Sequence, residues 1–326
     1  MSLDQIWASL DPKRRVALQR TLNSSGAGSV LLQPNVNKIV QQLSLRMLGV
    51  QSTLDRRPGS GTAALLNRRT PGTTGGVWVA DTDSGTEETG TYAQSTFTYR
   101  TLLTKGTVTR KLQATGRTYG DVLATEMVNK AEDFANLLET GLITGDNTAN
   151  SNQINGLLTL INAISGQVVA NSTLSAGSAL VLTKLDEAID KVRGAGNKSD
   201  LRIYGSQAGL RKLNAALQAQ QQFINMTEIA GGFRVKSYDG IPLVPTTAMP
   251  DTLTWDGTNV QVFSGAATTA LVIVNTRYCW IEELTPMSVL PLAKTTSQND
   301  AFEMFIDAAL VLSSTKGATI LGGISV

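Results

Sequence analysis

Residues 120–158 read GDVLATEMVNKAEDFANLLETGLITGDNTANSNQINGLL, and the fold turns on how they divide. Leu123, Met127, Ala131, Phe134 and Leu138 recur at helical spacing, and Val128 and Ala135 widen the stripe. Glu126, Lys130, Glu132, Asp133 and Asn136 fill the other faces. The spacing predicts one long amphipathic helix. Gly141 stands where such a helix stops, because glycine takes the left-handed C′ conformation without a Cβ penalty. A polar loop rich in Asn and Gly follows. By itself this stretch describes a core helix of a globular domain.

The surrounding composition narrows the choice. A hydrophobic fraction of 41% supports a real core, and 326 residues suffice for one large domain or two to three small ones. No apolar run approaches the ~20 residues that span a bilayer. The start, MSLDQIWASLDPKRR, lacks the order of a signal peptide, so a soluble protein made inside the cell is expected, with no membrane partner. The N-x-Ser/Thr matches at Asn23, Asn171 and Asn225 are then chance. Cys279 is alone, which rules out an intrachain disulfide, and its neighbours Tyr278, Trp280 and Ile281 predict a buried thiol.

There is no histidine. That removes the commonest general base, Ser-His-Asp and Cys-His mechanisms, and a Cys/His zinc site. Carboxylate or lysine chemistry stays open. No catalytic residue, cofactor or metal site is assigned. Net charge is only +2, yet residues 1–80 carry ten Lys/Arg against Asp4, Asp11 and Asp55. A basic first quarter suits contact with a polyanion, or serves only as a solvated arm.

Along the chain, residues 1–75 read as an arm and linker. Asp11 and Pro12 can open a short helix to about Leu22, a second helical pattern covers Val36–Leu48 with Gly49 ending it, and residues 55–76 favour turns and extended chain. Residues 76–111 read as a β hairpin. Val77–Ala80 is its first apolar piece, Asp81–Gly90 its acidic tip, and Thr91–Leu103 its alternating return. Phe97, Tyr99, Thr101 and Leu103 share one face. An isolated ribbon of this kind is marginal in water and needs support. Beyond residue 158, Thr183 with Asp186 marks a helix to about Arg193, and Ser206 caps another to about Gln218. Strand-like segments fall at 201–204, 233–235, 241–245, 271–274, 278–284, 288–292, 301–312 and 318–321, with a small hairpin within 249–267. Helices and strands mix without βαβ alternation, so the class is α+β.

Several motif-like stretches fail on spacing. Gly194–Ser199 lacks phosphate-loop spacing and follows a helix rather than a strand. Asp81–Gly85 starts like a calcium loop, but its glycine comes early and position twelve is Tyr92. Gly205–Gly209 lacks the nucleophile-elbow spacing. Glu282 and Glu283 are adjacent on a strand, so they point to opposite faces.

The order of basic arm, polar hairpin, long helix, Gly145-Asp-Asn-Thr148 loop ending in Asn155-Gly-Leu-Leu158, mixed α/β segment and late strands resembles the major capsid protein of tailed double-stranded DNA bacteriophages, the Hong Kong 97-type fold. Gly240–Pro245 followed by Met249-Pro250, and the apolar run Val272–Ile281, add to the resemblance, which runs from about residue 30 to the C-terminus. The family commonly has a second glycine where Asn147 stands.

The resemblance implies an N-terminal arm (1–75), an extended loop (76–111), a P-domain with a long spine helix (112–165 and 278–312) and an A-domain (166–277 and 313–326). It implies a non-enzymatic shell protein, with itself as partner in pentamers and hexamers, non-specific packaged double-stranded DNA, a portal, and scaffolding or decoration proteins. It places the protein in the virion, assembled in the bacterial host cytoplasm. Lys13, Arg14, Arg15 and Arg20 would face DNA. Trp78, Phe97, Tyr99, Arg100 and Leu103 would meet a neighbouring subunit. Leu123, Met127, Phe134 and Leu138 would form the spine-helix core. With Met1 present, no N-terminal cleavage is expected, and Lys105 lies too far from the hairpin tip for an intersubunit crosslink. The alternative within the fold is an encapsulin-type compartment shell. Outside it stands a carboxylate-dependent enzyme or soluble binding module.

Overall fold

The computed structural model describes residues 48–70, 78–82, 90–116, 121–192, 194, 197–219, 225–229, 233–256, 260–261, 268–293 and 298–326. Lys13, Arg14, Arg15, Arg20, the expected helix near residues 12–22 and nearly all of that at 36–48 lie outside them, as do Val77 and residues 83–89 of the hairpin tip.

The described helices are α1 (Gly49–Thr53), α2 (Arg110–Gly116), α3 (Val122–Thr144), α4 (Leu157–Asn162), α5 (Leu182–Asp190) and α6 (Gln207–Ala219). The strands are β1 (Arg56–Pro58), β2 (Ala63–Thr70), β3 (Thr91–Thr98), β4 (Arg100–Thr109), β5 (Val168–Ala170), β6 (Leu201–Gly205), β7 (Asn225–Ile229), β8 (Phe233–Tyr238), β9 (Ile241–Pro245), β10 (Thr254–Trp255), β11 (Val260–Gln261), β12 (Thr268–Asn275), β13 (Cys279–Leu292), β14 (Asn299–Leu312) and β15 (Ala318–Ser325).

Helix α3 is the predicted long helix. Asp121 caps it, its carboxylate accepting from the Leu123 and Ala124 N–H groups at 3.0 and 3.2 Å. The helix is 23 residues long, so it spans about 35 Å. Gly141 does not stop it. The helix runs on to Thr144, and Gly145 ends it, donating its N–H to Gly141 O at 3.0 Å. A Cβ on Gly145 would fall on the carbonyl oxygens of Ile154 and Gly141, whereas one on Gly141 would meet only Ile154 Cγ1 at 3.6 Å. Space at the turn, not helix propensity, therefore decides which glycine terminates. The following loop is built as turns: Asp146 Oδ1 accepts from Thr148 N–H, and Asn155 Oδ1 accepts from Asn147 N–H.

The strands form two main sheets. A four-stranded sheet has the order β1-β13-β14-β4, and a seven-stranded sheet the order β5-β15-β12-β6-β9-β8-β7. The two are joined through the short connections between β12 and β13 and between β14 and β15. One core lies between the C-terminal half of α3 and both sheets, with Phe134, Leu138, Leu142, Trp255, Val272, Phe302, Met304 and Ile306 buried together. Each such side chain contributes about 1.5–3 kcal/mol by burial. A second core packs α5 and α6 on the seven-stranded sheet through Leu185, Ile189, Leu210, Leu213, Leu217 and Ile273.

Ser206 caps α6, its hydroxyl accepting from Gly209 N–H at 3.0 Å. Thr183 does not cap α5: the helix starts one residue earlier, and Asn171 Oδ1 takes the Val181 N–H instead. The sharp β8–β9 turn places Asp239 and Gly240 at φ +50° and +80°.

The hairpin differs from the expectation in its first strand. β2 pairs antiparallel with β3 from Ala63↔Thr98 to Thr70↔Thr91, so the ribbon's first strand lies in the stretch read as arm and linker, and Trp78–Ala80 is not a strand. The expected return strand is broken at Tyr99, and β4 beyond it belongs to the four-stranded sheet beside β14. Residues 49–54 are likewise packed, with Val50 and Leu54 buried, and Gly49 begins a helix rather than ending one.

Candidate assembly site

The ribbon and its root carry the least ordinary chemistry. β1 runs parallel to the edge of β13, and the Gly59 N–H donates to Glu283 O at 2.7 Å. Successive side chains of both strands point to opposite faces, as the adjacency of Glu282 and Glu283 predicts. On one face Arg56 pairs with Glu283 at 2.5 Å. On the other, the Arg57 guanidinium lies 4.0 Å from the Trp280 ring centroid, and the Trp280 indole donates to Glu282 at 3.3 Å. The Tyr99 hydroxyl donates to the same carboxylate. Burial, and then this bond to an anion, push the Tyr99 phenol up to about 12. The root is thus gripped from both sides.

The ribbon then lies on its own sheet. Ala64, Tyr99, Trp280, Ala309 and Val311 form a small buried cluster, with Leu66 and Phe97 packed against it. Arg68 donates from Nε to Ser313 O at 3.0 Å and from Nη2 to Leu312 O at 2.5 Å. Burial draws the Arg68 guanidinium below its usual range. Its partners are main-chain carbonyls. The support that the ribbon needs therefore comes, near its root, from its own chain.

On the opposite side of this root, β4, α3 and the loop at 150–154 enclose a cleft of about 390 Å³, lined by Arg100, Leu103, Leu137, Leu138, Gln153 and Ile306 among others. A smaller polar pocket of about 110 Å³ shares Arg100, Gln153 and Ile154 with it. Arg100 Nε is buried and has no hydrogen-bond partner among the described residues, and Arg100 Nη2 reaches only Asn147 Oδ1 at 3.4 Å.

The residues singled out from sequence separate clearly. Phe134 and Leu138 are buried, and Leu123 and Met127 are partly buried against the same core, whereas Val128 is exposed. Trp78 is fully exposed and Leu103 half exposed. Tyr99 is engaged inside the chain, Phe97 is half-buried, and Arg100 lines the cleft. Sequence reasoning missed Glu139, which is 1% exposed. Its carboxylate accepts from the Val50 and Gln51 N–H groups and from the Thr246 hydroxyl at 2.8–3.0 Å. It also missed Arg57, Arg68 and Trp280, whose roles depend on pairings across more than 200 residues.

Cys279 is fully buried, and burial pushes its thiol up to about 12. Among the described residues no group of three or more His, Cys, Asp or Glu could hold a metal ion. No described helix is long and apolar enough to cross a membrane.

Comparison with known proteins adds three kinds of finding. The family model described as SU10 major capsid protein matches residues 101–325. A comparison with curated proteins found no match. Among solved structures, the chain is similar to a subunit of the holo-SrpI encapsulin complex from Synechococcus elongatus PCC 7942, with TM-score 0.67 and 12% identity, covering 92% of this chain and 95% of that one. It is similar to the capsid of the native GTA particle, with TM-score 0.66 and 16% identity, covering 93% and 100%. It is also similar to a Mycobacterium phage Bobi chain, with TM-score 0.65 and 13% identity, covering 94% and 99%. At these identities the structures speak to the fold, which is the Hong Kong 97 type.

Proposed function

This chain belongs to the SU10 major capsid protein family and is a structural component of a phage capsid shell, and from that premise we propose that identical copies form pentamers and hexamers that close around phage double-stranded DNA. The observation that carries the reading is the family match across residues 101–325, which takes in α3, both main sheets and the C-terminal strand. Within the proposal, α3 and the four-stranded sheet act as the P-domain with its spine. The seven-stranded sheet with α5 and α6 acts as the A-domain around a capsomer axis. The β2–β3 ribbon is the extended loop, held stiff at its root, with exposed Trp78 offered to neighbouring subunits.

Lys13, Arg14, Arg15 and Arg20 contact packaged DNA through phosphates, without reading sequence. A portal and scaffolding or decoration proteins complete the particle, which is assembled in the host cytoplasm. No catalytic step is assigned to any residue.

Electron microscopy of the purified protein tests this. Closed particles on the order of tens of nanometres across are expected, as closed point-group assemblies require. A uniform monomer or dimer under all conditions would sink the reading. The encapsulin-like fold gives a second reading, a shell around protein cargo. Nuclease-protected DNA in native particles favours the phage shell, and a co-purifying enzyme in place of DNA favours the compartment.

A further inference from the structure

The cleft between β4, α3 and residues 150–154 has three properties that together describe what fits it. Its floor and rim are apolar, with Leu103 and Leu137 each about half exposed and Leu138 and Ile306 buried beneath them. Along one side runs the start of β4, whose outer edge pairs with no strand among the described residues. At the end where the cleft meets the smaller polar pocket lies Arg100, with a buried Nε–H lacking an acceptor and no carboxylate in ion-pair contact among the described residues. The outer nitrogens of that guanidinium reach only Asn147 Oδ1, at 3.4 Å, among the described residues, so an occupant that brings an anionic oxygen to them adds a charge-assisted bond. Unpaired strand edge, apolar side-chain pocket and orphaned cation point to an extended peptide with one carboxylate and one large apolar side chain.

The chain itself supplies such a peptide. Of residues 1–47, the only carboxylates are Asp4 and Asp11 and the only aromatic residue is Trp7, all within LDQIWASLD at Leu3–Asp11. The described chain begins against α3, on the face of the helix turned away from the cleft. Val50 and Gln51 hydrogen-bond to Glu139, and Gln51 to Ala135, on the same turns of α3 that present Leu137 and Leu138 to the cleft. The residues between Asp11 and Leu48 reach about 120 Å when extended, far more than the return requires.

We propose that Leu3–Asp11 docks in this cleft along the edge of β4, with the Asp4 carboxylate on Arg100 and Trp7 against Leu103 and Leu137. The basic residues that follow, Lys13 to Arg20, are then tethered at the subunit body and left in solvent. The proposal concerns one subunit and its own segment and holds independently of shell closure.

Hydrogen exchange read by mass spectrometry on the full-length protein, in whatever assembly it forms, is the test. The amides of residues 4–8 and the β4 edge at residues 100–103 are expected to exchange at least about tenfold slower than unstructured chain. Arg100→Asp and Asp4→Arg should each remove that protection, and the double variant should restore it. Leu137→Lys, on an exposed rim position, should remove it while exchange in the core of α3 stays unchanged, which separates undocking from unfolding. Free exchange of residues 4–8 in the unaltered protein overturns the proposal. So does protection that survives Arg100→Asp, failure of the double variant to restore it, or protection of the β4 edge alone, which would mean another occupant. Particle formation is scored separately by microscopy, so failure of the capsid reading leaves this result interpretable.

Discussion

A buried carboxylate must be fully hydrogen-bonded to stay where it is, and Glu139 meets that condition with three donors from two distant segments. It fastens α1 and the strand end at Thr246 to the middle of α3. Glu139→Ala leaves those donors without an acceptor and should cost about 3 kcal/mol, read as a lowered urea midpoint of the dissociated subunit. Cys279 should not react with a thiol reagent in the native protein and should react fully once unfolded.

Tyr99 gives a pH signature. Its phenol is raised from 10 unfolded to about 12 folded, so the neutral form is favoured in the folded state. Its contribution is fully present below pH 10 and is lost as pH climbs toward 12. Exchange in β2 and β3 should therefore quicken over that window, and Tyr99→Phe should flatten the response while leaving the shared core intact.

At the scale of elements, the two glycines of α3 make opposite predictions. Gly141 lies inside the helix with room for a methyl group, so Gly141→Ala should raise stability by about 0.5–1 kcal/mol. Gly145→Ala should lower it, because the new Cβ collides with backbone that cannot yield cheaply. Thermal denaturation of the two variants side by side checks both. The same pair shows what a linear reading can reach. The helix was legible because its apolar period holds from Leu123 to Leu138, and the Ser206 cap was legible because capping chemistry is local. Which glycine ends α3 depends on Ile154 O, brought back by the loop. β2 was hidden because Ala63–Thr70 becomes a strand through cover from Trp280 and Val311 and through Arg68 reaching Ser313 O, none of them near in sequence. Of the candidate site, exposed Leu103 and Trp78 could be named, but not the grip of Glu282 on Tyr99 or the cleft around Arg100.

At the scale of the whole molecule, a compact two-sheet body carries a stiff-rooted ribbon. A basic stretch precedes that body in sequence. Replacing Lys13, Arg14, Arg15 and Arg20 by Gln should weaken DNA binding alike for all sequences and reduce the slope of log K against log salt by roughly 3–4. Fluorescence titration of the dissociated subunit with duplexes of unrelated sequence measures both.

The pairing of β4 with β14, and of β1 with β13, has a consequence for synthesis. The ribbon-bearing sheet has its middle strands late in the sequence and its outer strands early. A nascent chain cannot complete that sheet until residue 312 has left the ribosome, so a subunit still being translated has no finished surface to offer a growing shell. A chain cut short before β14 leaves β4 and β13 without the strand they share.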